Sequence, residues 1–447
     1  MRFTLLALLL FAGPAFAQTA VDLPPADARG DLLIRGATVL TVTNGTHENT
    51  DILVRDGQIE EIGQDLSPPR GVQIIDGSGL HVMPGIVDAH AHIALSSVNE
   101  ARNTITAEVQ MGDVTDPTQI GIYRALAGGV TTIHTLHGSA NAIGGESETL
   151  KLRYGTFNPN DLHFEGAPRT IKFALGENPI RVHGRGRDIR PRSRMGVEQL
   201  YREAFSEARG YRDAQTEAEE DGSTPPPYSR RMETLADILD GEVLIHCHSY
   251  RADEIIMLMN VLRDFGVDRI TFQHVNEGFK VAPELAAFGA GASVFSDWWS
   301  YKFEVYYSTA YNVAILLRNG VRASINSDSG ELIRHLYHEA AKSQRYGELT
   351  DDEALSLITI NPAWQLGIDG RVGSIEEGKD ADLAIFDGHP LSIYARPVMT
   401  IVDGIVRFDE TRDGDDMRLD IDPEAEIEDV RLYDHDEESC LVDAFVL

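Results

Sequence analysis

The sequence predicts an α/β protein with a TIM-type (β/α)8 barrel as its main domain and a smaller β domain built from both ends of the chain. Two observations lead to this prediction. In the middle of the chain, short apolar strands alternate with helical segments, as in repeated parallel βαβ units. On either side, strands and turns follow one another without helices, at residues 30–82 and 366–408. The barrel then occupies residues 83–365, and residues 179–230 are an insertion too long for a simple connection.

The β domain is predicted from short strands separated by turns. The first group lies at residues 32–35, 37–40, 51–54 and 59–62, and Asp56-Gly57 forms a hairpin-type turn before the last of them. Residues 381–386 and 400–406 repeat this pattern near the other end of the chain. We therefore expect both ends to contribute strands to one small domain.

Seven barrel strands are predicted at residues 86–90, 130–135, 171–175, 243–246, 270–273, 292–295 and 323–326. A weaker eighth strand at residues 162–165 would complete the barrel. A helix is predicted at residues 351–359, because Thr350 and Glu353 have the spacing of a capping box, and Asn361-Pro362 ends or restarts it. Active groups of such barrels lie at the C-terminal ends of the strands, which directs attention to the residues found there.

Composition limits the partners of the chain. Its 447 residues carry a formal charge of −32, which argues against nucleic acid and anionic membranes, because phosphate groups require a positive surface. Residues 1–17 combine a charged start, an apolar run and a small-residue end, which predicts a signal peptide and a periplasmic or secreted protein. No other segment is long and apolar enough to span a membrane. Residues 409–447 form an acidic tail that we expect to be solvated.

Histidines and an aspartate lie at or near the ends of the predicted strands. His90 and His92 are two residues apart at the end of the first barrel strand, so both point the same way and can bind one metal ion. Later strand ends supply His274 and Asp328. Histidine nitrogens and carboxylate oxygens suit zinc and similar divalent ions, and an open coordination position would hold water. This set predicts a centre with one or two divalent ions, zinc being expected, and metal-assisted hydrolysis.

Three motifs together resemble those of the amidohydrolase superfamily. They are Pro84-Gly85-Ile86-Val87-Asp88-Ala89-His90-Ala91-His92, Gly129-Val130-Thr131-Thr132, and Gly373-Ser374-Ile375-Glu376-Glu377-Gly378-Lys379-Asp380-Ala381-Asp382-Leu383. Within the superfamily, the chain looks most like a secreted member of the imidazolonepropionase-related and prolidase-like branch. The resemblance spans residues 32–406 and implies a metal-binding (β/α)8 barrel with a β-sandwich made from both ends of the chain.

The resemblance also implies which residues bind metal. By position, His90 and His92 match the first-strand ligands, and His274 and Asp328 match those of the sixth and eighth strands. His246 matches the fifth-strand ligand and is preferred because it directly follows the apolar residues 243–245. His248 shares its strand face and is the alternative.

A group that bridges two metal ions is expected on the fourth strand. Lys172 matches the lysine that relatives carboxylate, which turns a cation into an anionic bridge. Other relatives use a glutamate, and Glu177 lies where this strand should end. Lys172 is preferred, and a site without either bridge would be mononuclear.

The predicted reaction is hydrolysis of an amide-type C–N bond in a peptide-like, N-acyl or cyclic amide substrate. Asp328 would act as general base and then general acid, and His274 would help to stabilise the oxyanion. His137, His248 and Arg181 are predicted to contact this small-molecule or peptide-like substrate. Arg181 belongs to an arginine-rich stretch of the insertion, which either binds an anionic substrate group or neutralises nearby acids.

Two other functions are compatible with the sequence. One is a prolidase-like dipeptidase or carboxypeptidase acting on exported peptides. The other is a non-catalytic protein that retains the metal-binding barrel without turnover, although such a protein would not need Asp328. The oligomeric state is left open, a homo-oligomer included.

Overall fold

The computed structural model describes residues 25, 27–298 and 301–411. The predicted signal peptide at residues 1–17 lies outside the described residues, as does the acidic tail beyond residue 411. Within the described part, none of the helices is both long enough and apolar enough to cross a membrane.

The described residues contain strands and helices that alternate in the middle of the chain. In chain order, the strands are β1 (Leu32–Leu40), β2 (Thr46–Arg55), β3 (Gln58–Gly63), β4 (Gln73–Asp76), β5 (His81–Pro84), β6 (Ile86–Ala91), β7 (Val130–Thr135), β8 (Ile143–Lys151), β9 (Arg169–Ala174), β10 (Val243–Ser249), β11 (Ile270–His274), β12 (Gly291–Val294), β13 (Arg322–Ile325), β14 (Leu383–Phe386), β15 (Pro397–Val402) and β16 (Ile405–Asp409). The α-helices are α1 (Ile120–Ala127), α2 (Glu177–Pro179), α3 (Arg194–Asp221), α4 (Arg230–Leu239), α5 (Ala252–Phe265), α6 (Ala282–Phe288), α7 (Asn312–Arg318), α8 (Leu336–Gly347), α9 (Asp351–Ser356) and α10 (Ile360–Leu366). Short 3-10 turns lie at Met111–Val114, Pro159–Leu162, Gly278–Lys280, Phe303–Val305 and Leu332–His335, and a π-helical turn lies at Ile180–Arg185.

Strands from both ends of the chain form one sheet in the order β16-β15-β14-β5-β1-β2-β3, with β4 beside β1. The two ends meet where β5 and β14 pair antiparallel, with Val82 opposite Ile385. Inner residues such as Ile34, Val54 and Ile401 are fully buried in a core of their own. Both ends thus belong to one β domain, and the two-layered sandwich stays a prediction.

A second sheet forms a nearly closed barrel in the order β13-β12-β11-β10-β9-β8-β7-β6. Seven of its strands overlap the predicted ones. The apolar residues of β6, β10, β11 and β13 are buried, as expected for parallel strands covered by helices. The C-terminal ends of the parallel strands therefore meet at one mouth, where the candidate ligands lie.

The predicted eighth strand at residues 162–165 is wrong. Pro159–Leu162 is a 3-10 turn, and the eighth strand of the barrel is β8, which runs antiparallel to both neighbours. This strand reads Ile-Gly-Gly-Glu-Ser-Glu-Thr-Leu-Lys and has no apolar run. It can be buried because partners neutralise its charges: Arg169 binds Glu146 at 2.9 Å, and Lys151 binds aspartates of the β domain.

The long insertion is mainly the helix α3. Ser193 caps its first turn by accepting a hydrogen bond from Gly196 N at 3.2 Å, and Gly222 ends it in the left-handed conformation. Buried residues three and four apart, among them Leu200, Tyr201 and Phe205, place one face of α3 on the barrel. The predicted capping box of α9 is present, and the chain restarts as α10 around Pro362.

A buried cluster of charges joins the barrel to the β domain. Lys151 ends β8 opposite Thr132, near the start of β7 and far from the barrel mouth. Its Nζ lies 2.7 Å from Asp380, 3.1 Å from Asp382 and 2.5 Å from Asp403. Because an unpaired buried charge is costly, these contacts fix the β domain against the N-terminal end of the barrel. The mouth, at the opposite end of the barrel, is therefore formed by the loops that follow the strands.

Candidate metal centre

Three predicted ligands surround the carboxylate of Asp328 at the barrel mouth. Its Oδ1 lies 3.3 Å from His90 Nε2 and 3.2 Å from His92 Nε2, and its Oδ2 lies 3.9 Å from His274 Nε2. The ligand atoms of His90, His274 and Asp328 are all within 4.8 Å of one another, and all four side chains are buried. The structure therefore brings together the ligands predicted for the first, sixth and eighth strands.

Two of these residues have unusual backbone conformations. His274 ends β11 with φ 70°, and Asp328 follows β13 with φ 48°, both in the left-handed region that side chains disfavour. A hydrogen bond from Asp328 N to His90 O, 3.0 Å long, holds the second of these turns against β6. Such local strain persists where surrounding contacts impose it, and it is concentrated at functional sites.

Hydrogen bonds at Nδ1 fix the orientation of the first two histidines. His92 Nδ1 lies 3.0 Å from Leu136 O, and because a carbonyl oxygen only accepts, Nδ1 carries the proton. His90 Nδ1 donates to Gln273 Oε1 at 3.1 Å. Both rings therefore turn an Nε2 lone pair towards Asp328, whose Oδ1 is buried without a hydrogen-bond donor. Acceptors this close together fit a bound cation, and the donor set is one that divalent metals accept.

The protonation states agree with this interpretation. Burial lowers the pKa of His90 well below its ordinary value, helped by the charge of Lys172, and burial lowers the pKa of His274 to about 3. Burial alone would raise the pKa of Asp328, but His274, His92 and Lys172 hold it below its ordinary value. At neutral pH the imidazoles of His90 and His274 are therefore neutral and the carboxylate of Asp328 is ionised, as metal ligands must be.

The two alternatives for the bridging group, Lys172 and Glu177, lie in different surroundings. Lys172 is fully buried on β9, and its Nζ lies 3.1 Å from His90 Nε2. Glu177 begins α2, is about a quarter exposed, and its Oε1 lies 3.7 Å from Arg181 and 3.9 Å from Lys302. Lys172 is thus within the ligand group, whereas Glu177 lies beside cations of the barrel mouth.

Two histidines of β10 face the barrel interior at different heights. The ring centroid of His248 lies 4.7 Å from that of His274, and both of its ring nitrogens are buried without a hydrogen-bond partner. The ring of His246 lies 4.4 Å from that of His134, and its Nδ1 lies 3.0 Å from Gln273 Nε2. The amide nitrogen of Gln273 can only donate, so His246 accepts at Nδ1 and carries its proton on Nε2.

The predicted substrate contacts are placed as follows. His137 is buried, and the backbone uses both of its ring nitrogens: Glu100 N donates to Nε2, and Nδ1 donates to Gly138 O, each at 2.8 Å. Arg181 lies in the π-helical turn near the mouth and faces Glu177. These predicted roles stay predictions, but His137 has no ring nitrogen available without a rearrangement of the backbone contacts.

The arginine-rich stretch of the insertion mostly meets acids of the chain itself. Arg190 lies 2.9 Å from Glu203, and Arg194 binds Glu254 at 3.2 Å and also contacts Glu304. This pattern favours neutralisation of nearby acids over substrate binding for these arginines.

Several residues around the centre were not predicted. Gln273 lies directly before His274 and joins two histidines through its amide group. An amide side chain next to a candidate ligand at the end of a buried strand is the signal that could have identified it. Tyr250, Phe295 and Lys302 lie around His274, at positions that sequence patterns do not mark because loops bring them there.

Comparisons with known proteins identify relatives of this chain. The model of the amidohydrolase family matches residues 304–408. The solved structure of an amidohydrolase from Thermotoga maritima MSB8 is 31% identical, with a TM-score of 0.80, and the match covers 85% of this chain and 100% of that one. Amidohydrolase tasK of Hapsidospora irregularis is 31% identical over 400 residues, or 80% of this chain and 40% of that protein. A 5-methylthioadenosine/S-adenosylhomocysteine deaminase of Symbiobacterium thermophilum is 26% identical over 442 residues, or 85% of this chain and 94% of that protein.

These likenesses differ in what they cover. This chain spans less than half the length of tasK, but it covers the whole of the Thermotoga protein at the same identity. In this chain, the barrel carries the histidines and the aspartate of the candidate centre at its mouth. The chain therefore belongs to the amidohydrolase family of hydrolases.

Proposed function

We propose that this protein hydrolyses an amide-type C–N bond in a peptide-like, N-acyl or cyclic amide substrate, as a member of the imidazolonepropionase-related and prolidase-like branch. The observation that carries the proposal is the group of His90, His92 and His274 around the ionised Asp328 at the barrel mouth. Neutral imidazoles and one carboxylate, all buried, are the donor set of a hydrolytic metal site.

His90, His92, His274 and Asp328 would hold the metal, for which zinc is the expected ion. Lys172 would join them as a carboxylated side chain if two ions are bound, because its Nζ already lies beside His90 Nε2. A divalent ion held there would lower the pKa of water towards neutrality and polarise a carbonyl group.

Of the two histidines of β10, the hydrogen bonds favour His248 as a ligand. His246 accepts from Gln273 at Nδ1 and therefore presents an N–H group, which cannot bind a metal ion. Neither ring nitrogen of His248 has a hydrogen-bond partner, and its ring lies beside that of His274. His246, which sequence position preferred, would then be a hydrogen-bond donor beneath the centre.

Asp328 is proposed to move the proton of the reaction. Its pKa is below the ordinary value, so at neutral pH it is ionised and can accept a proton from the attacking water. It would return that proton to the leaving nitrogen. His274 lies beside it, buried and neutral, and would help to stabilise the oxyanion.

We also propose that the protein acts in the periplasm or outside the cell. The support is the charged start, apolar run and small-residue end of residues 1–17.

The test combines metal analysis with an assay on simple amides. The purified protein is analysed for metal and then incubated, metal-replete, with N-acetyl amino acids, dipeptides and a cyclic imide. One or two zinc-like ions per chain and release of product from one substrate class are expected. Absence of metal under replete conditions would refute the proposed centre, and bound metal without hydrolysis of any class would favour a non-catalytic barrel.

The bridge is tested in the same preparation with Lys172→Ala and Glu177→Ala. A loss of one ion with Lys172→Ala alone is expected. An equal loss with Glu177→Ala would contradict the placement of Glu177 among the cations of the mouth.

A further inference from the structure

The ring of His274 lacks the hydrogen bonds that orient His90 and His92. Each of those two rings donates its Nδ1 proton to an oxygen, at 3.1 and 3.0 Å respectively. His274 is fully buried, and among the described residues neither of its ring nitrogens has a hydrogen-bond partner. A histidine that binds metal normally uses its second nitrogen for such a bond, which fixes the direction of the ring. The orientation of His274 therefore depends on another kind of contact.

The strand does not set the direction of this side chain either. Side chains alternate along β11, and Gln273 points into the barrel, where its amide accepts from His90. By this alternation, His274 would point away from the centre together with Phe272. Its left-handed backbone, with φ 70°, breaks the alternation, and its ring lies beside that of His90 with centroids 4.7 Å apart. The ring thus needs support from outside its own strand.

Two aromatic rings flank the ring of His274. Tyr250 lies one residue beyond β10 and Phe295 one residue beyond β12, the two strands that neighbour β11 in the barrel sheet. Their rings stack on that of His274 at centroid distances of 5.5 and 4.8 Å, with planes inclined by 22° and 21°. Both side chains are buried. Because buried side chains are close-packed, rotation of the imidazole out of this plane would drive its edge into a neighbouring ring.

A second layer of contacts holds the two flanking rings. Trp298 stacks on Phe295 with centroids 4.4 Å apart and planes 14° apart. The Nζ of Lys302 lies 4.1 Å from the ring centroid of Tyr250. Contacts between rings, and between a ring and a cation, depend on geometry as well as on buried area. The imidazole of His274 is therefore one layer of an ordered stack.

We propose that Tyr250 and Phe295 are positioning residues, which hold the ring of His274 in place at the metal centre and so replace the missing hydrogen bond. This inference rests on the centre of the proposed function and adds to it how the sixth-strand ligand is oriented. The stack fixes the plane of the ring, and a bound ion would select the nitrogen that faces it. Because stacking depends on the flat face of a ring, another aromatic residue should replace Tyr250 or Phe295, whereas leucine should not.

The first test measures zinc affinity by competition with a chromophoric chelator. Tyr250→Leu and Phe295→Leu each keep an apolar side chain but lose one flat face. We expect the affinity to fall by roughly 3- to 10-fold in each variant, the fold-change that corresponds to one aromatic pair. Tyr250→Phe should keep the wild-type affinity because it keeps the ring. The proposal would be overturned by wild-type affinity in both leucine variants, or by a loss in Tyr250→Phe as large as that in Tyr250→Leu.

Phe272→Leu is the matched control. Phe272 lies on the same strand and is fully buried in the apolar core, on the face of β11 opposite to Gln273. This variant should lower the free energy of unfolding in urea but leave the zinc affinity unchanged. If it lowered the zinc affinity as much as the other two leucine variants, the effect would come from loosening of the barrel, and the positioning role would be wrong.

Nuclear magnetic resonance of the metal-free protein separates this inference from the proposed reaction. With the histidines labelled at Cε1, the signal that disappears in His274→Gln belongs to His274. Protons stacked against an aromatic face resonate upfield, so this signal should move downfield in Tyr250→Leu and in Phe295→Leu. Such a movement supports the inference even if no amide is hydrolysed. A His274 signal that stays in place in both variants would overturn it even if amides are hydrolysed.

Discussion

Replacement of Gln273 by leucine should weaken metal binding without touching a ligand. The amide of Gln273 accepts from His90 Nδ1 at 3.1 Å and donates to His246 Nδ1 at 3.0 Å and, more weakly, to Ala89 O at 3.4 Å. Leucine has nearly the same size and no polar atom. In the variant, the buried Nδ1 proton of His90 has no acceptor, and the ring can move that proton to Nε2, where it would block the metal.

The magnitude follows from the loss of this orienting bond. Removing a hydrogen-bond partner of a metal-binding histidine lowers metal affinity by roughly 10- to 100-fold. That range corresponds to about 1.4–2.7 kcal/mol. It also agrees with the cost of about 1–3 kcal/mol for a buried polar group left without its partner.

The assay is a competition between the protein and a chromophoric chelator for zinc. The matched control is Gln365→Leu, because Gln365 is also buried, accepts from Ser324 Oγ at 2.8 Å and donates to Arg322 O at 2.9 Å. It lies on α10, where its backbone acts on His246 and not on a proposed ligand, so this variant should lose stability but keep its zinc affinity. Zinc affinity of Gln273→Leu equal to that of Gln365→Leu would refute the role of the amide.

Four further predictions follow from the candidate centre and from the buried charge cluster of Lys151. His248→Asn should lower the metal content measured by elemental analysis, and His246→Asn should not. The reverse result would identify His246 as the fifth-strand ligand. Asp328→Asn should keep much of the metal but lose about 10²- to 10⁴-fold in kcat, as for loss of a general base, and full activity would exclude that role. Lys151→Met should lower the free energy of unfolding in urea by about 3–5 kcal/mol, because the three buried carboxylates lose the ammonium that they share. Burial would raise the pKa of Asp403, but Lys151 and Arg153 lower it to about 2. The ionised Asp403 therefore stabilises the fold above about pH 4, and this contribution should disappear as the pH falls through about 2. A difference in the free energy of unfolding between wild type and Asp403→Asn that stays constant over this interval would contradict the prediction.

The candidate ligands could be predicted to lie together because, in a barrel, it is enough to know that each one lies at the C-terminal end of a strand. His90, His92, His274 and Asp328 are far apart in sequence, but each lies at the end of a predicted strand. Parallel strands of a barrel end at the same mouth, so the fold brings these ends together whatever the loops do. No contact between side chains had to be known in advance.

The eighth strand was missed for a physical reason. Glu146 and Lys151 lie in β8, which lacks the apolar pattern by which the other strands were predicted, and they are buried only because Arg169 and the aspartates of the β domain neutralise them. Asp380 is 229 residues away from Lys151 in sequence. Periodicity within a strand contains no information about partners at such distances.

The sequence pattern also could not predict how far along the barrel axis a side chain lies. His246 and His248 share a strand face, and position alone preferred the one that follows the apolar run. The distinction depends on Gln273 of the neighbouring strand, which pairs in register with His248 and turns its amide towards His246. The proposal of His248 as the ligand thus depends on a hydrogen bond between strands, which the motif around His246 does not contain.

The same residues that form the centre also close the barrel. Among the described strands, no ladder joins β6 to β13, the two ends of the barrel sheet. The gap is instead bridged by the bond from Asp328 N to His90 O and by Ser327 Oγ, which donates to Asp88 Oδ2 at 2.5 Å. These contacts hold Asp328 in its left-handed conformation, at a cost of about 1–3 kcal/mol. A metal ion held by His90 and Asp328 would add a further link across the gap, and metal binding and closure of the barrel would then stabilise each other.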